Sequence, residues 1–168
     1  YKTKSFDLLK LYSFIKSGNT TKSIPQSYIP NKSFFDKFTS FLRLNFFIPD
    51  SRVGWNKYAY KKVINIISNK EIVCIITTGP PHSTHLIGLK IHNKYKLKWI
   101  VDLRDPWTEI FYLKNRFRFY FSEQKNKKLE SEVLENSDAI ITTVGEKYHK
   151  ILSAKVSNKE KIFYSFNW

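Results

Sequence analysis

The chain of 168 residues has no methionine, one cysteine and five glycines, and it carries 14 acidic side chains against 29 basic ones. Each shortage has a consequence. Without methionine the chain does not start at an initiator. It opens on Tyr1-Lys2-Thr3-Lys4 rather than on the strand and glycine-rich turn that usually begin a doubly wound domain, so an incomplete chain is expected. A lone cysteine, Cys74, builds no disulfide framework, and its place in an apolar run predicts a small core residue. No run approaches the ~18–20 apolar residues of a membrane span, and no basic start followed by an apolar stretch marks a secretory signal. A cytoplasmic protein is expected.

The excess of bases gives a formal net charge of +15. Taken alone it points to nucleic acid, an anionic membrane or a phosphorylated ligand. The arginines, however, are only Arg43, Arg52, Arg104, Arg116 and Arg118. The other cations are lysines in a chain also rich in Asn and Ile, a bias that an AT-rich gene produces without a selected binding surface. What the chain does have is apolar residues, 42% of the total, with 17% aromatic. That is too apolar for a disordered segment and enough for one domain with a real core.

Residues 72–107 organise the rest. The β-branched run Ile72-Val73-Cys74-Ile75-Ile76-Thr77-Thr78 stops at Gly79-Pro80-Pro81. A helical pattern covers residues 83–95, with Gly88 inside it, where a missing side chain lets a helix approach a sheet closely. A second apolar run, Trp99-Ile100-Val101, ends in Asp102-Leu103-Arg104-Asp105-Pro106. Strand, turn, helix and strand make one βαβ unit, which predicts a parallel sheet buried on both faces. Ligands of such sheets gather at the carboxyl ends of the strands, where both polar clusters lie.

Around this unit, helices are predicted over residues 5–16, 32–44, 55–68, within 117–135 and from 145 to 152, with further strands over 139–144 and 161–166. A tyrosine-rich loop is expected at 110–115. The segment 1–45 is basic and aromatic, with eight Lys or Arg against two Asp. Phe34, Phe35, Phe38, Phe41 and Leu42 form a dense helical face. The plain reading is an amphipathic helix packed on the sheet; the alternative is a surface resting on anionic lipid headgroups.

Two loops are candidates for chemistry. Residues 79–85, Gly-Pro-Pro-His-Ser-Thr-His, match no phosphate-loop pattern. Pro80 and Pro81 lack an amide hydrogen and fix a rigid turn instead. Ser83 is a suitable N-cap, and the amides of that first helical turn could receive a phosphate or a sugar hydroxyl. His82 and His85 could share a helix face, but no third metal ligand follows at a sensible spacing, so no metal is expected. In the second loop, alternation puts Asp102 and Arg104 on one side of the strand and Leu103 on the other. Arg104 can hold a phosphate or carboxylate with its planar fork, and Asp105 can accept from sugar hydroxyls or act as a base. The competing reading is an internal ion pair between arginine and aspartate that shapes the loop.

At these residues a resemblance appears. TTGPPHSTHLIGLKI followed by KWIVDLRDPWT resembles the amino-terminal domain of bacterial family 4 glycosyltransferases, the group that builds capsule, O-antigen and other surface polysaccharides. IPDSRVGW is similar to the segment that precedes this unit, and LESEVLENSDAIITTVGEKYHKIL to the next helix, strand and helix. IFYSFNW stands where the family has its isoleucine-proline-asparagine-glycine strand. The resemblance covers about residues 47–168.

It implies an α/β, Rossmann-like domain with a parallel sheet flanked by helices, forming the acceptor side of a two-domain GT-B enzyme. The donor would be a nucleotide-sugar bound mainly by a carboxy-terminal domain, and the acceptor a lipid-linked sugar or growing glycan. Transfer would retain anomeric configuration and need no metal or other cofactor. Arg104 and Asp105 would be the catalytic candidates, with Gly79, His82, Ser83, Thr84 and Asp102 binding substrate. Some members carry a histidine in the loop after the second strand of this unit; Arg104 stands there in this chain. The rival expectation is a non-catalytic basic module for nucleic acid or anionic membrane. Nucleic acid is disfavoured because no helix-turn-helix, RNA-recognition or zinc signature is present.

Overall fold

The structure is a computed structural model that describes residues 34–109 and 117–165. The helix expected at 5–16 and the tyrosine-rich loop at 110–115 lie outside the described residues. Four strands form one parallel sheet in sequential order: β1 (Cys74–Gly79), β2 (Lys98–Leu103), β3 (Ala139–Thr142) and β4 (Ile162–Tyr164). Among the described residues five α-helices accompany it: α1 (Phe34–Phe46), α2 (Asn56–Asn69), α3 (Ser83–Tyr95), α4 (Tyr120–Asn136) and α5 (Glu146–Ser153). The α/β class and the central βαβ unit are as the sequence predicts. The register pairs Thr78 with Asp102 and Gly79 with Leu103, so β1 and β2 end level with each other.

Asp138 starts the β2–β3 pairing. Its carboxylate accepts the Trp99 amide at 2.8 Å and the Lys98 ammonium at 2.9 Å, while its own amide donates to the Trp99 carbonyl. On one sheet face, Trp99, Val101, Leu103 and Ile140 are fully buried against Val133 and Leu134 of α4 and Leu152 of α5. Side chains of this size each contribute roughly 1.5–3 kcal/mol on burial. Helix α3 presses on β1 and β2 at Gly88, and α2 packs on α3 through Ala59, Val63, Ile64 and Ile67. Leu129 of α4 packs against the same core, as its spacing predicts.

Expected burial on both faces does not hold among the described residues. The second face carries Cys74, Ile76 and Thr78 of β1, then Ile100 and Asp102, Ile141, and Phe163. Ile76 and Phe163 are exposed, the others half-buried or exposed, and no buried cluster includes any of them. Cys74 is therefore half-buried on the uncovered face and not a core residue. The reason is one of handedness: parallel strands added in one direction with right-handed crossovers place every connecting helix on the same side.

The aromatic face of α1 is a second correction. Of the predicted stripe, Phe38 is exposed and Phe41 and Leu42 only half-buried, so these three are not core residues.

Candidate functional site

The two loops leave the sheet from adjacent points. The amide of Arg104 donates to the Gly79 carbonyl at 3.1 Å, one step beyond the β1–β2 ladder. Both polar clusters therefore meet at the carboxyl edge, where ligands of parallel sheets bind.

The first loop turns inward. His82 and His85 are buried and bracket Gly79: a β-carbon there would lie 2.5 Å from His85 Nε2 and 2.9 Å from His82 Nδ1. Any side chain at this position would push the histidines out. The His82 ring lies flat on Trp107, with centroids 4.9 Å apart and planes 8° apart, which joins the first loop to the second.

His85 is tied to the sheet through Thr77. Trp99 Nε1 can only donate, and it donates to Thr77 Oγ1 at 2.9 Å. The same Thr77 hydroxyl is hydrogen-bonded to His85 Nδ1, also at 2.9 Å. His85 Nε2 and both nitrogens of His82 have no hydrogen-bond partner among the described residues. Burial pushes the His82 imidazole down to about 4; the Pro106 carbonyl offsets this slightly without reaching hydrogen-bond geometry. Burial likewise holds His85 down to about 3, with nearby His82 adding to the effect. Both rings are neutral at pH 7.

The first turn of α3 is closed by the chain itself. Asp50 Oδ2 accepts the Ser83 amide at 2.7 Å and Oδ1 accepts the Ser83 hydroxyl at 3.0 Å. The Thr84 amide donates to the Pro81 carbonyl, and the His85 amide to that of His82. A carboxylate suits this position because the helix N-terminus carries partial positive charge. Burial raises the Asp50 pKa, and its bonds to Ser83 and Arg52 act in the opposite direction. Two expectations are thereby corrected. Ser83 does not cap with its own side chain; it is fully buried and held by Asp50. These three amides are spent and do not form an anion site.

The second loop has a buried root and an exposed tip. Trp107 anchors the root: its indole donates to Asn126 Oδ1 at 3.0 Å and its amide to the Tyr148 hydroxyl at 3.3 Å. Thr108 donates to Glu130 Oε2 at 2.6 Å, and Lys155 reaches Glu130 and Glu109 at 2.7 Å each. The Tyr148 phenol is pushed well above its ordinary range, first by burial and then by Glu130. Arg104 and Asp105 stand exposed at the tip, and Arg104 forms no ion pair with another described residue. The internal pair that competed with a binding role is absent among the described residues.

The structure thus divides the predicted site. Arg104 and Asp105 are accessible. Thr84 and Asp102 are half-buried, Asp102 on the uncovered face; Gly79, His82 and Ser83 are interior. Sequence reasoning missed Asp50, Asn126, Glu130, Tyr148 and Lys155. A signal existed for two of them, because Asn126 and Glu130 share the helical stripe of Val133 and Leu134, putting polar groups on an apolar face. Nothing local marks Asp50 as the partner of a helix 33 positions away. Among the described residues, no three His, Cys, Asp or Glu side chains are grouped to hold a metal.

Compared with protein-family models, curated proteins and solved structures, the chain matches none.

Proposed function

We propose that this chain is the Rossmann-like, acceptor-side domain of a retaining glycosyltransferase that builds a surface polysaccharide. Its donor is a nucleotide-sugar shared with a second domain. Its acceptor is a lipid-linked sugar or a growing glycan, met at the inner face of the plasma membrane. The observation that carries the reading is the exposed Arg104–Asp105 tip at the carboxyl edge, with an arginine that no carboxylate of the described chain neutralises.

In this reading Arg104 grips a phosphate of the donor or of the acceptor lipid with its planar fork, and Asp105 accepts from a sugar hydroxyl. Thr84, half-buried at the loop, offers a hydroxyl nearby. The buried His82 serves as the base on which the second loop rests, not as a sugar contact.

The test is transfer in the complete enzyme, with a set of nucleotide-hexoses and a polyprenyl-diphosphate sugar. Losing a charge-assisted hydrogen bond costs roughly 1.5–3 kcal/mol, so Arg104→Ala is expected to lower kcat/KM about 10- to 100-fold. Arg104→Lys keeps the charge without the fork and should fall between. A value within twofold of the wild type for Arg104→Ala removes Arg104 from the mechanism.

A further inference from the structure

A group of exposed aromatic side chains lies on α1 and the 117–121 segment. Phe38 and Phe46 of α1, Phe117 and Phe119, and Tyr120 and Phe121 at the start of α4 are each between 43% and 78% exposed. Phe41 joins three of them: its ring centroid is 6.5 Å from Phe46, 5.9 Å from Phe117 and 5.3 Å from Phe119. At about 200 Å² per aromatic residue, the six side chains together expose on the order of 700 Å².

The patch is built rigidly. Asn45 is buried between α1 and the 117–122 segment. Its Oδ1 accepts the Phe119 amide at 2.6 Å, its carbonyl accepts the Ser122 hydroxyl at 2.9 Å, and its Nδ2 donates to the Phe41 carbonyl at 2.8 Å. These bonds fix the backbone so that the aromatic rings face outward.

Basic residues flank the rings. Lys37 is exposed next to Phe38, and Arg118 lies between Phe117 and Phe119. Lys125 and Lys128 follow Phe121 by four and seven positions, which places all three on one stripe of α4; both lysines are exposed, Lys128 with Glu132 3.9 Å away. The acid in the first turn of α4, Glu123, is bound to Lys127 at 2.6 Å. The chain as a whole carries +15.

We propose that this aromatic and basic surface docks the protein on an anionic lipid bilayer. Aromatic rings settle at the headgroup level, and lysines beside them are drawn to anionic lipid. The ring geometry favours a bilayer over a single-stranded nucleic acid. Phe41 and Phe119 meet at 78° and Phe117 and Phe119 at 81°, so the rings fill the slots into which bases would stack. The surface adds to the transferase reading and does not depend on it.

The test uses the full chain and extruded vesicles, either phosphatidylcholine alone or with phosphatidylglycerol at 30 mol%, in a co-sedimentation assay. Wild type is expected to partition at least tenfold better onto the anionic vesicles. Phe46→Ser/Phe117→Ser/Phe121→Ser should lose at least tenfold, with circular dichroism confirming the fold. Lys125→Glu/Lys128→Glu, altered only at exposed helix positions, should lose the preference for anionic lipid by about tenfold or more. The proposal is overturned if neither variant changes partitioning. It is also overturned if wild type ignores vesicles while sedimentation velocity shows a dimer that the serine variant dissolves, or if an oligonucleotide binds the patch and vesicles do not. None of these outcomes bears on Arg104, so the transferase reading stands or falls separately.

Discussion

Gly88→Ala sets two known effects against each other. In a helix interior alanine is favoured over glycine by about 0.8–1 kcal/mol, so helix propensity alone predicts a more stable protein. The structure predicts the reverse. A β-carbon on Gly88 would collide with Trp99 Nε1, lie 2.5 Å from Trp99 Cε2 and lie 2.7 Å from Thr77 Cγ2. Neither neighbour can yield cheaply. Trp99 is fully buried, and its indole is tied to Thr77, which is tied in turn to His85. Helix α3 must therefore back away from the sheet by about 1 Å to reach ordinary contact distance. Overpacking of this kind costs typically 1–3 kcal/mol. Each hydrogen bond stretched in the chain from Trp99 to His85 adds about 1 kcal/mol. Set against the propensity gain, the net loss is about 2 kcal/mol. Urea unfolding at pH 7 reads it directly: with a slope of ~2 kcal/mol/M the midpoint falls by about 1 M. Gly145→Ala is the steric control, because a β-carbon there meets nothing within 4 Å; as the N-cap of α5 it should lose less than about 1 kcal/mol, a midpoint shift under about 0.5 M. A midpoint for Gly88→Ala equal to or above wild type would refute the claim that this glycine sets the helix-to-sheet distance.

Two further perturbations probe the roots of the loops. Lys155→Met strands the carboxylate of Glu130, which is 2% exposed, and should cost about 3 kcal/mol; adding Glu130→Gln should restore part of that loss, a coupling that a double-mutant cycle in urea measures. Equal losses for the single and double variants would show that the pair does not carry the stability. Acid should unfold the protein through His82 and His85, whose folded values of about 4 and 3 lie below the ordinary 6.5. Their stabilising effect is full above pH ~6.5 and falls as pH drops toward 4, by about 1.4 kcal/mol per pH unit for each ring that stays neutral in the fold. Asp50, with its raised value, acts in the opposite sense over the lower part of this range. His82→Gln should flatten the urea midpoint against pH between 6 and 4.5 by about one proton; an unchanged slope would mean that this ring is not buried neutral.

The sequence made the βαβ unit legible because its two kinds of period do not overlap. A β-branched run bounded by Gly79-Pro80-Pro81 can only be a strand end, and residues 83–95 form a helix with the expected bounds. Gly88 was legible too, since a glycine on an inward helix position asks for a close neighbour. Periodicity reports which residues share a face, however, not whether anything covers that face. So Cys74, which its apolar run predicts as core, lies half-buried on a face nothing described covers, and Phe38, whose spacing predicts packing, is exposed. The same limit hid the cap of α3, because the Asp50 carboxylate comes from a distant connection and Ser83 alone satisfied the local rule.

The divided second loop explains why charge survives at its tip. A loop carrying Asp102, Arg104, Asp105 and Glu109 could settle its charges among themselves, and would then have nothing to offer a ligand. Here the root takes its own complement: Glu109 and Glu130 share Lys155, Trp107 is spent on Asn126 and Tyr148, and His82 closes the stack. Leu103 and Trp107, both buried, pin the loop on either side of the tip and hold Arg104 and Asp105 out from the root. In the proposed function, a guanidinium at the end of a parallel strand that pairs with no carboxylate among the described residues exchanges its hydration for a phosphate. Loosening the root should therefore weaken phosphate binding at Arg104 even though no root residue touches the ligand. Lys155→Met offers that comparison once its fold is checked, since a purely local role for Arg104 predicts unchanged affinity.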